Sequence, residues 1–199
     1  MSNVAIIDSG GANIASLQYA FERLGIGAEL TTDAAAIQKS SHVLLPGVGA
    51  ARNAMDRLVD AGLVDVIRSL KQPVLGICLG MQLLCEGSEE DNVECLGIVP
   101  GVAKKLPAAV ECAVPNMGWC ATEILSDHRL LDGIQNNCFY YYLHSYALPV
   151  SKYTIATACH ASPFSAVMTY KNFAATQFHP ERSSSPGARL LANFIGIRS

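Results

Sequence analysis

Three side chains in this sequence, a thiol, an imidazole and a carboxylate, are of the types that serve as a nucleophile, its base and the group that orients the base. Cys78 stands between two apolar runs, residues 73–77 and 79–85, and His179 and Glu181 follow about a hundred positions later. A thiolate attacks a carbonyl carbon, an imidazole transfers the proton, and a carboxylate fixes the tautomer of the imidazole. The sequence therefore predicts a nucleophile at Cys78, a base at His179 and an orienting carboxylate at Glu181.

The position of Cys78 suits this role because we expect it to lie at a tight corner. The run before it is typical of a buried strand, and the run after it is typical of a helix. Gly76 and Gly80 flank the corner, where larger residues would crowd the turn. The N-terminus of the following helix favours a thiolate and an oxyanion. The alternative is an inert buried thiol, which is how we interpret the other six cysteines.

A glycine-rich turn is a second candidate part of the site. Residues 46–49 read Pro-Gly-Val-Gly and follow a predicted strand. The backbone of Gly47, Val48 and Gly49 could present N–H groups to an oxyanion, with the N–H of Leu79 as a further donor. Two glycines in four residues can also simply make a turn.

His144 is a rival candidate for the base. It lies in an aromatic segment, residues 139–146, which could equally be an ordinary strand with a satisfied histidine. No carboxylate lies near it in the sequence, whereas His179 has Glu181 two residues away. We therefore predict that His179 is the base.

Composition narrows the class of protein. The chain has 199 residues, 50% hydrophobic and 16% charged, which predicts one domain spanning residues 1–199. A net charge of -3 gives no electrostatic reason to expect a nucleic acid or an acidic membrane surface as partner. The uncharged stretch between Lys152 and Lys171 is too polar to span a membrane. Seven cysteines without metal-ligand spacing predict free thiols in a reducing cytoplasm, with neither a metal nor a cofactor.

The first half of the chain alternates between strand and helix patterns. This alternation predicts an α/β fold with an open, mostly parallel central sheet flanked by helices, of flavodoxin-like type. The predicted strands are residues 3–8, 28–31, 43–45 and 74–77. In such a sheet, Gly10, Gly47 and Cys78 would meet at the carboxyl ends of the strands.

After Gly97 the pattern changes to short strands separated by turn residues. This change predicts an antiparallel or mixed extension of the sheet. The short strands are predicted at residues 99–104, 121–125, 139–143, 153–158 and 165–170. A last helix is predicted over residues 186–197, with Pro186 in its first turn.

Two motifs carry a resemblance to a known family. Residues 76–82 (Gly-Ile-Cys-Leu-Gly-Met-Gln) and 179–181 (His-Pro-Glu) resemble those of class I, triad-type glutamine amidotransferases, and the resemblance covers nearly the whole chain. More narrowly, the chain resembles the glutaminase subunits of imidazole glycerol phosphate synthase. The narrower likeness rests on residues 45–49, 115–119, 144–146 and 177–183.

The resemblance implies a reaction and a partner. Cys78 would attack the side-chain amide of L-glutamine, His179 would protonate the departing ammonia, and water would hydrolyse the γ-glutamyl thioester to glutamate. Gln82 and the backbone around Ser145 and Tyr146 would hold the glutamine. A separate (β/α)8-barrel cyclase subunit would take the ammonia through a channel, making imidazole glycerol phosphate and aminoimidazole carboxamide ribotide for histidine biosynthesis. The lone subunit would be nearly inactive.

Two segments depart from the family pattern near the expected interface with the cyclase. Residues 8–13 read Asp-Ser-Gly-Gly-Ala-Asn, where many relatives have an aromatic residue after the aspartate. Cys120 follows Trp119 at a position where asparagine is common. Asn13, Met117 and Trp119 are the residues that we expect at this interface.

Three other functions remain open. A glutaminase subunit of another synthase, such as the one that serves pyridoxal phosphate synthesis, would use the same three catalytic residues. A peptidase-like hydrolase would cleave peptides and be indifferent to glutamine. A non-catalytic sensor or scaffold would use Cys78 as a redox switch, but it has no need of His179 and Glu181.

Overall fold

The larger of two sheets organises the structure, a computed structural model that describes residues 3–10, 14–110 and 112–198. Within these ranges, nine strands form this sheet in the order β2-β1-β3-β4-β13-β12-β11-β8-β9, and four form a smaller sheet in the order β10-β7-β5-β6. The strands are β1 (Asn3–Ile7), β2 (Gly27–Thr31), β3 (His42–Gly47), β4 (Val74–Cys78), β5 (Cys85–Ser88), β6 (Val93–Glu94), β7 (Val99–Lys105), β8 (Asn116–Ile124), β9 (Cys138–His144), β10 (Tyr146–Ala147), β11 (Thr154–His160), β12 (Ser162–Tyr170) and β13 (Phe173–Thr176).

Helices cover both faces of the larger sheet. They are α1 (Ile14–Glu22), α2 (Ala34–Lys39), α3 (Ala51–Asp60), α4 (Val64–Ser69), α5 (Leu79–Leu83) and α6 (Ser184–Gly196), with 3-10 turns at Glu90–Asn92, Arg129–Leu131 and Pro180–Arg182. Among the helices of the described ranges, none has the length and the hydropathy to cross a bilayer.

The parallel half of the larger sheet positions the ends of its strands side by side. Strands β2, β1, β3, β4 and β13 are parallel to one another. In this register Gly47 lies opposite Cys78, and Thr176 lies opposite Ile77. The segment that follows β13 is therefore brought beside Cys78 although it is about a hundred residues away in the sequence.

The antiparallel half continues the same sheet. Strands β13, β12, β11, β8 and β9 pair antiparallel. The predicted fold class, an α/β fold with a central sheet flanked by helices and a mixed extension, is confirmed. The extension supplies four of the eight strand pairings of the larger sheet.

Buried apolar residues on both faces explain why the parallel strands have continuous apolar sequences. Ile6 and Leu44 join one apolar cluster with α1 and α6, whereas Ile7 and Leu45 join a second cluster with α3, α4 and α5. Each of these four side chains is 0% exposed. Full burial of a leucine or isoleucine contributes about 1.5–3 kcal/mol, so both layers hold the sheet in place.

The helix after Cys78 is shorter than the sequence predicts. The apolar run predicts helix through residue 85, but α5 ends at Leu83 and Cys85 begins β5. The carbonyl of Leu83 accepts a hydrogen bond from the N–H of Leu96, and the carbonyl of Leu84 accepts from Val99. These long-range bonds replace the next turn of the helix.

Candidate active site

Cys78 lies at the corner between β4 and α5 in a conformation that few residues other than glycine adopt. Its φ is 54° and its ψ is -108°, and its side chain is largely buried. Backbone strain of this kind costs on the order of 1–3 kcal/mol and is concentrated at functional sites. The geometry is that of a nucleophile elbow, which holds a side chain at the apex of a tight turn.

Two glycines let the elbow lie against the neighbouring backbone. A Cβ at Gly80 would lie only 1.7 Å from the carbonyl oxygen of Leu45, and a Cβ at Gly76 would lie 2.9 Å from the carbonyl oxygen of Gly80. No side chain fits at either position unless the backbone shifts. Helix α5 is therefore fixed directly on β3 and β4, which also fixes Cys78.

His179 and Glu181 form a buried pair just after β13. The Nδ1 of His179 lies 2.9 Å from Oε1 of Glu181, and the two side chains are 8% and 3% exposed. Burial lowers the pKa of His179, but hydrogen bonds and charge interactions with Cys78 and Glu181 outweigh burial and raise this pKa to about 10. His179 therefore carries a proton near neutral pH and faces Cys78 as its partner.

A pocket of about 380 Å³ opens on these groups. Its lining includes eight of the ten predicted catalytic, oxyanion and substrate residues: Val48, Gly49, Cys78, Leu79, Gln82, Ser145, Tyr146 and His179. The other two, Gly47 and Glu181, line a small cavity that shares Val48 and His179 with the pocket. The structure thus brings together residues from four separate parts of the sequence.

The turn of residues 46–49 is anchored at its start. The hydroxyl of Ser9, which is 2% exposed, donates a hydrogen bond of 2.6 Å to the carbonyl of Pro46. A Cβ at Gly47 would lie 3.1 Å from Cβ of Leu79, so the turn also packs closely on α5. Ser9 therefore ties the first loop to the turn. The role of the turn as an oxyanion site stays a prediction.

His144 also lines the pocket, but both of its ring nitrogens are engaged. Nδ1 lies 2.9 Å from the carbonyl of Tyr146, to which it donates, and Nε2 lies 3.1 Å from the side-chain amide of Asn116. Burial lowers the pKa of His144 to about 4, so this imidazole is neutral at pH 7. Its contacts hold the backbone at Tyr146 and favour His179 as the base.

Comparison with known proteins identifies the family of this chain. The family model of class I glutamine amidotransferases matches residues 5–197. The chain belongs to the class I glutamine amidotransferase family. The Xanthomonas axonopodis protein "Imidazole glycerol phosphate synthase subunit HisH" is 48% identical over 195 residues, which cover 98% of both chains. A Legionella pneumophila protein, "Imidazole glycerol phosphate synthase subunit HisH 2", is 48% identical over 196 residues, again 98% of both.

Solved structures share the fold of this amidotransferase. A putative GMP synthase protein from Thermoplasma acidophilum superposes with a TM-score of 0.77 at 20% identity, over 98% of this chain and 93% of that one. A glutamine amidotransferase from Thermotoga maritima gives a TM-score of 0.66 at 16% identity, over 98% of this chain and 81% of that one. At these identities the likeness concerns the fold alone.

One pocket residue of the amidotransferase was missed in the sequence analysis. Glu90 places a carboxylate in the lining of the pocket, and its Oε2 accepts a hydrogen bond of 3.1 Å from the N–H of Ala51 at the start of α3. In the sequence it belongs to an acidic run, residues 89–91, which is typical of a solvated surface. Its place in the pocket lining follows from the fold, and the acidic run does not indicate it.

The amidotransferase exposes an apolar face on β8 and on the edge strand β9, next to the pocket. Met117 and Trp119 on β8 are 69% and 52% exposed, and Phe139 and Leu143 on β9 are 58% and 38% exposed. Met117 pairs with Leu143, whose carbonyl lies 3.6 Å from Sγ of Cys78. We call these four side chains the edge face. Asn13, the third predicted interface residue, lies outside the described residues.

Proposed function

We propose that this chain is the glutaminase subunit of an imidazole glycerol phosphate synthase and acts in histidine biosynthesis. It hydrolyses L-glutamine to glutamate and ammonia, and a (β/α)8-barrel cyclase subunit uses the ammonia to make imidazole glycerol phosphate and aminoimidazole carboxamide ribotide. One observation carries the proposal: Cys78 at a strained elbow faces the His179–Glu181 pair, joined at 2.9 Å, in a chain of this family.

The first chemical step forms the thioester. The Cys78 thiolate attacks the γ-amide carbon of glutamine, so a carbon–sulfur bond forms and the carbonyl oxygen becomes an oxyanion. As the oxyanion collapses, His179 gives its proton to the amide nitrogen, the carbon–nitrogen bond breaks and ammonia leaves. Glu181 holds the imidazolium in place through Nδ1 and stabilises its charge.

The second step hydrolyses the thioester. Neutral His179 takes a proton from a water molecule, whose oxygen attacks the γ-carbonyl carbon. The carbon–sulfur bond then breaks, and the sulfur of Cys78 keeps the electron pair as a thiolate. The products are glutamate and the starting ion pair of Cys78 and His179.

Different groups around the pocket bind different parts of the glutamine substrate. The backbone of Gly47, Val48 and Gly49 and the N–H of Leu79 surround the oxyanion. Gln82 and the backbone of Ser145 and Tyr146 hold the glutamine, and the Tyr146 carbonyl is itself fixed by Gln82 at 3.0 Å and by His144 at 2.9 Å. The Glu90 carboxylate in the pocket lining suits the α-ammonium group of glutamine. Apart from Glu90, these assignments together with Cys78, His179 and Glu181 make up the ten positions predicted from the sequence.

The cyclase subunit covers the edge face. Large contiguous apolar side chains on a protein surface mark interaction sites, and aromatic residues are enriched where partners bind. The edge face adjoins the pocket through Leu143, so a partner seated there is close to the point at which ammonia is released. Asn13 is proposed as a further interface residue. The subunit works in the cytoplasm, and residues 1–199 act as one amidotransferase domain.

The test is glutamate release from glutamine by the purified chain, alone and with a cyclase subunit plus its ribonucleotide ligand. We expect strong stimulation by the liganded partner. Steady hydrolysis without the partner would point to a free-standing glutaminase, such as one that serves pyridoxal phosphate synthesis. No release in either case would favour a non-catalytic scaffold.

A cysteine variant separates the two half-reactions of the complex. Cys78→Ala abolishes glutamine hydrolysis but leaves ammonia-dependent synthesis by the cyclase, because only the nitrogen source is lost. Cys159→Ala is the matched control, since Cys159 is an exposed thiol outside the pocket and its loss leaves both activities intact. Loss of both activities in Cys78→Ala would contradict the assignment.

A further inference from the structure

Gln177 is a fully buried polar side chain whose role the proposed mechanism leaves open. It is 0% exposed and follows β13, two residues before His179. Its Nε2 lies 3.8 Å from Sγ of Cys78, and its Oε1 lies 3.4 Å from Nε2 of Gln82. A buried amide needs hydrogen-bond partners, and these two contacts supply them.

The neighbouring groups fix which end of the Gln177 amide faces the sulfur. The carbonyl of Tyr146 can only accept, so Gln82, at 3.0 Å from it, must present its NH2 group there. The same NH2 group approaches Gln177, which must therefore present its oxygen to Gln82. The NH2 group of Gln177 is left for Sγ of Cys78. The two amides thus form a relay from the Tyr146 backbone to the nucleophile.

A donor at this place matters because the sulfur changes charge during the reaction. A neutral Cys78 thiol can donate to the carbonyl of Leu143 at 3.6 Å, but a thiolate has no proton to donate and needs donors. His179 is one donor, and it loses its proton to ammonia in the first step. An N–H group that cannot lose its proton remains beside the sulfur throughout.

We propose that the Gln177 amide is a catalytic group that donates a hydrogen bond to the Cys78 sulfur and stabilises the thiolate before attack and again on its departure. This inference rests on the proposed glutaminase function. When water has added to the thioester, the carbon–sulfur bond breaks and the sulfur takes the electron pair. Gln177 then stabilises the returning negative charge, since hydrogen bonds to charged groups are about twice as strong as neutral ones.

The experiment compares Gln177→Glu with wild type. Glutamate has the same shape but offers a carboxyl oxygen where the amide offers N–H, so the permanent N–H donor is lost. Iodoacetamide alkylation at pH 7 measures the reactivity of Cys78 without glutamine, and Cys78→Ala gives the contribution of the other six thiols. Glutamine turnover is measured in the complex with the cyclase subunit. Gln72→Glu is the matched control, because Gln72 binds the Ile37 carbonyl, remote from the pocket.

We expect Cys78 in Gln177→Glu to be alkylated about 10-fold more slowly, with a similar fall in kcat and a KM within about 2-fold of wild type. Gln177→Met, which removes the donor without adding an acid, shows the same direction and serves if the glutamate variant does not fold. Alkylation at the wild-type rate in both variants, or a rise in KM alone, overturns the proposal. If wild type releases no glutamate but the rate of alkylation of Cys78 still depends on Gln177, the proposed glutaminase function is wrong, whereas the hydrogen bond from Gln177 to the sulfur is supported.

Discussion

Substitution of Gly80 tests whether backbone contact fixes the nucleophile. The Cβ of Gly80→Ala would lie 1.7 Å from the carbonyl oxygen of Leu45, and real contacts of this kind are essentially never under 3.0 Å. Helix α5 must therefore move away from β3 by at least about 1.3 Å, the difference between 3.0 and 1.7 Å. Because α5 begins next to Cys78, the sulfur moves with it.

The size of the effect follows from this displacement. A misplacement of about 1 Å at a reacting centre costs about 100-fold in rate, which we expect for kcat of Gly80→Ala in the complex. Overpacking costs about 1–3 kcal/mol, and in a chain of this length about 2 kcal/mol lowers Tm by about 4–8 °C.

The assays are steady-state glutamine turnover and thermal unfolding. Gly196→Ala is the matched control, because a Cβ at this helical glycine would meet no heavy atom within 4 Å apart from adjacent backbone of its own helix, and we expect wild-type activity and no loss of stability. A kcat for Gly80→Ala within about 3-fold of wild type would refute the argument that the contact with Leu45 places the nucleophile.

The remaining predictions concern the orienter, a buried histidine and the edge face. Glu181→Gln should lower kcat by on the order of 10³-fold, less than the loss in Cys78→Ala, because it removes the charge that holds the imidazolium; equal and complete loss would make Glu181 more than an orienter. The pKa of His144 is 6.5 in the unfolded chain and about 4 in the folded one, so the free energy of unfolding is highest above pH 6.5 and falls as the pH is lowered towards 4. A difference of about 2.5 pH units corresponds to about 3 kcal/mol. Urea unfolding at pH 7.5 and pH 4 should show this loss of stability in wild type and a smaller loss in His144→Asn. An equal loss in the two proteins would contradict the assignment to His144. Trp119→Ala should raise the Kd for the cyclase subunit by about 30-fold, or about 2 kcal/mol, with calorimetry as the measurement and an unchanged Kd as the contrary result.

The sequence predicts the parallel half of the sheet well because its strands are buried on both faces. The predicted strand at residues 74–77 corresponds to Val74–Cys78, and the one at 43–45 lies within His42–Gly47. Such strands are uninterrupted apolar runs, and glycines mark the turns after them. The placement of Cys78 at the corner follows from the same pattern.

Other features depend on contacts that a linear pattern does not contain. Strand β13, Phe-Ala-Ala-Thr, is too short for a clear period, and it becomes a strand because it pairs with both β4 and β12. Strand β8 begins at Asn116, five residues before the predicted start at 121, since it pairs with β9 along its whole first half. The positions of Glu90 and Gln177 likewise follow from tertiary contacts alone.

Strand β13 lies between β4 and β12 in the larger sheet, so the site can form only after β13 has been synthesised. A ribosome makes the elbow early, but His179, which lies beside it, follows β13, the last of the thirteen strands in the described part of the chain. A growing chain that ends at β12 has Cys78 but lacks His179 and Glu181, and its sheet is open at the position that β13 will fill. Pairings between such distant segments form late, because loop closure must precede them. The unfinished subunit therefore cannot hydrolyse glutamine, and ammonia release becomes possible only when the sheet is complete.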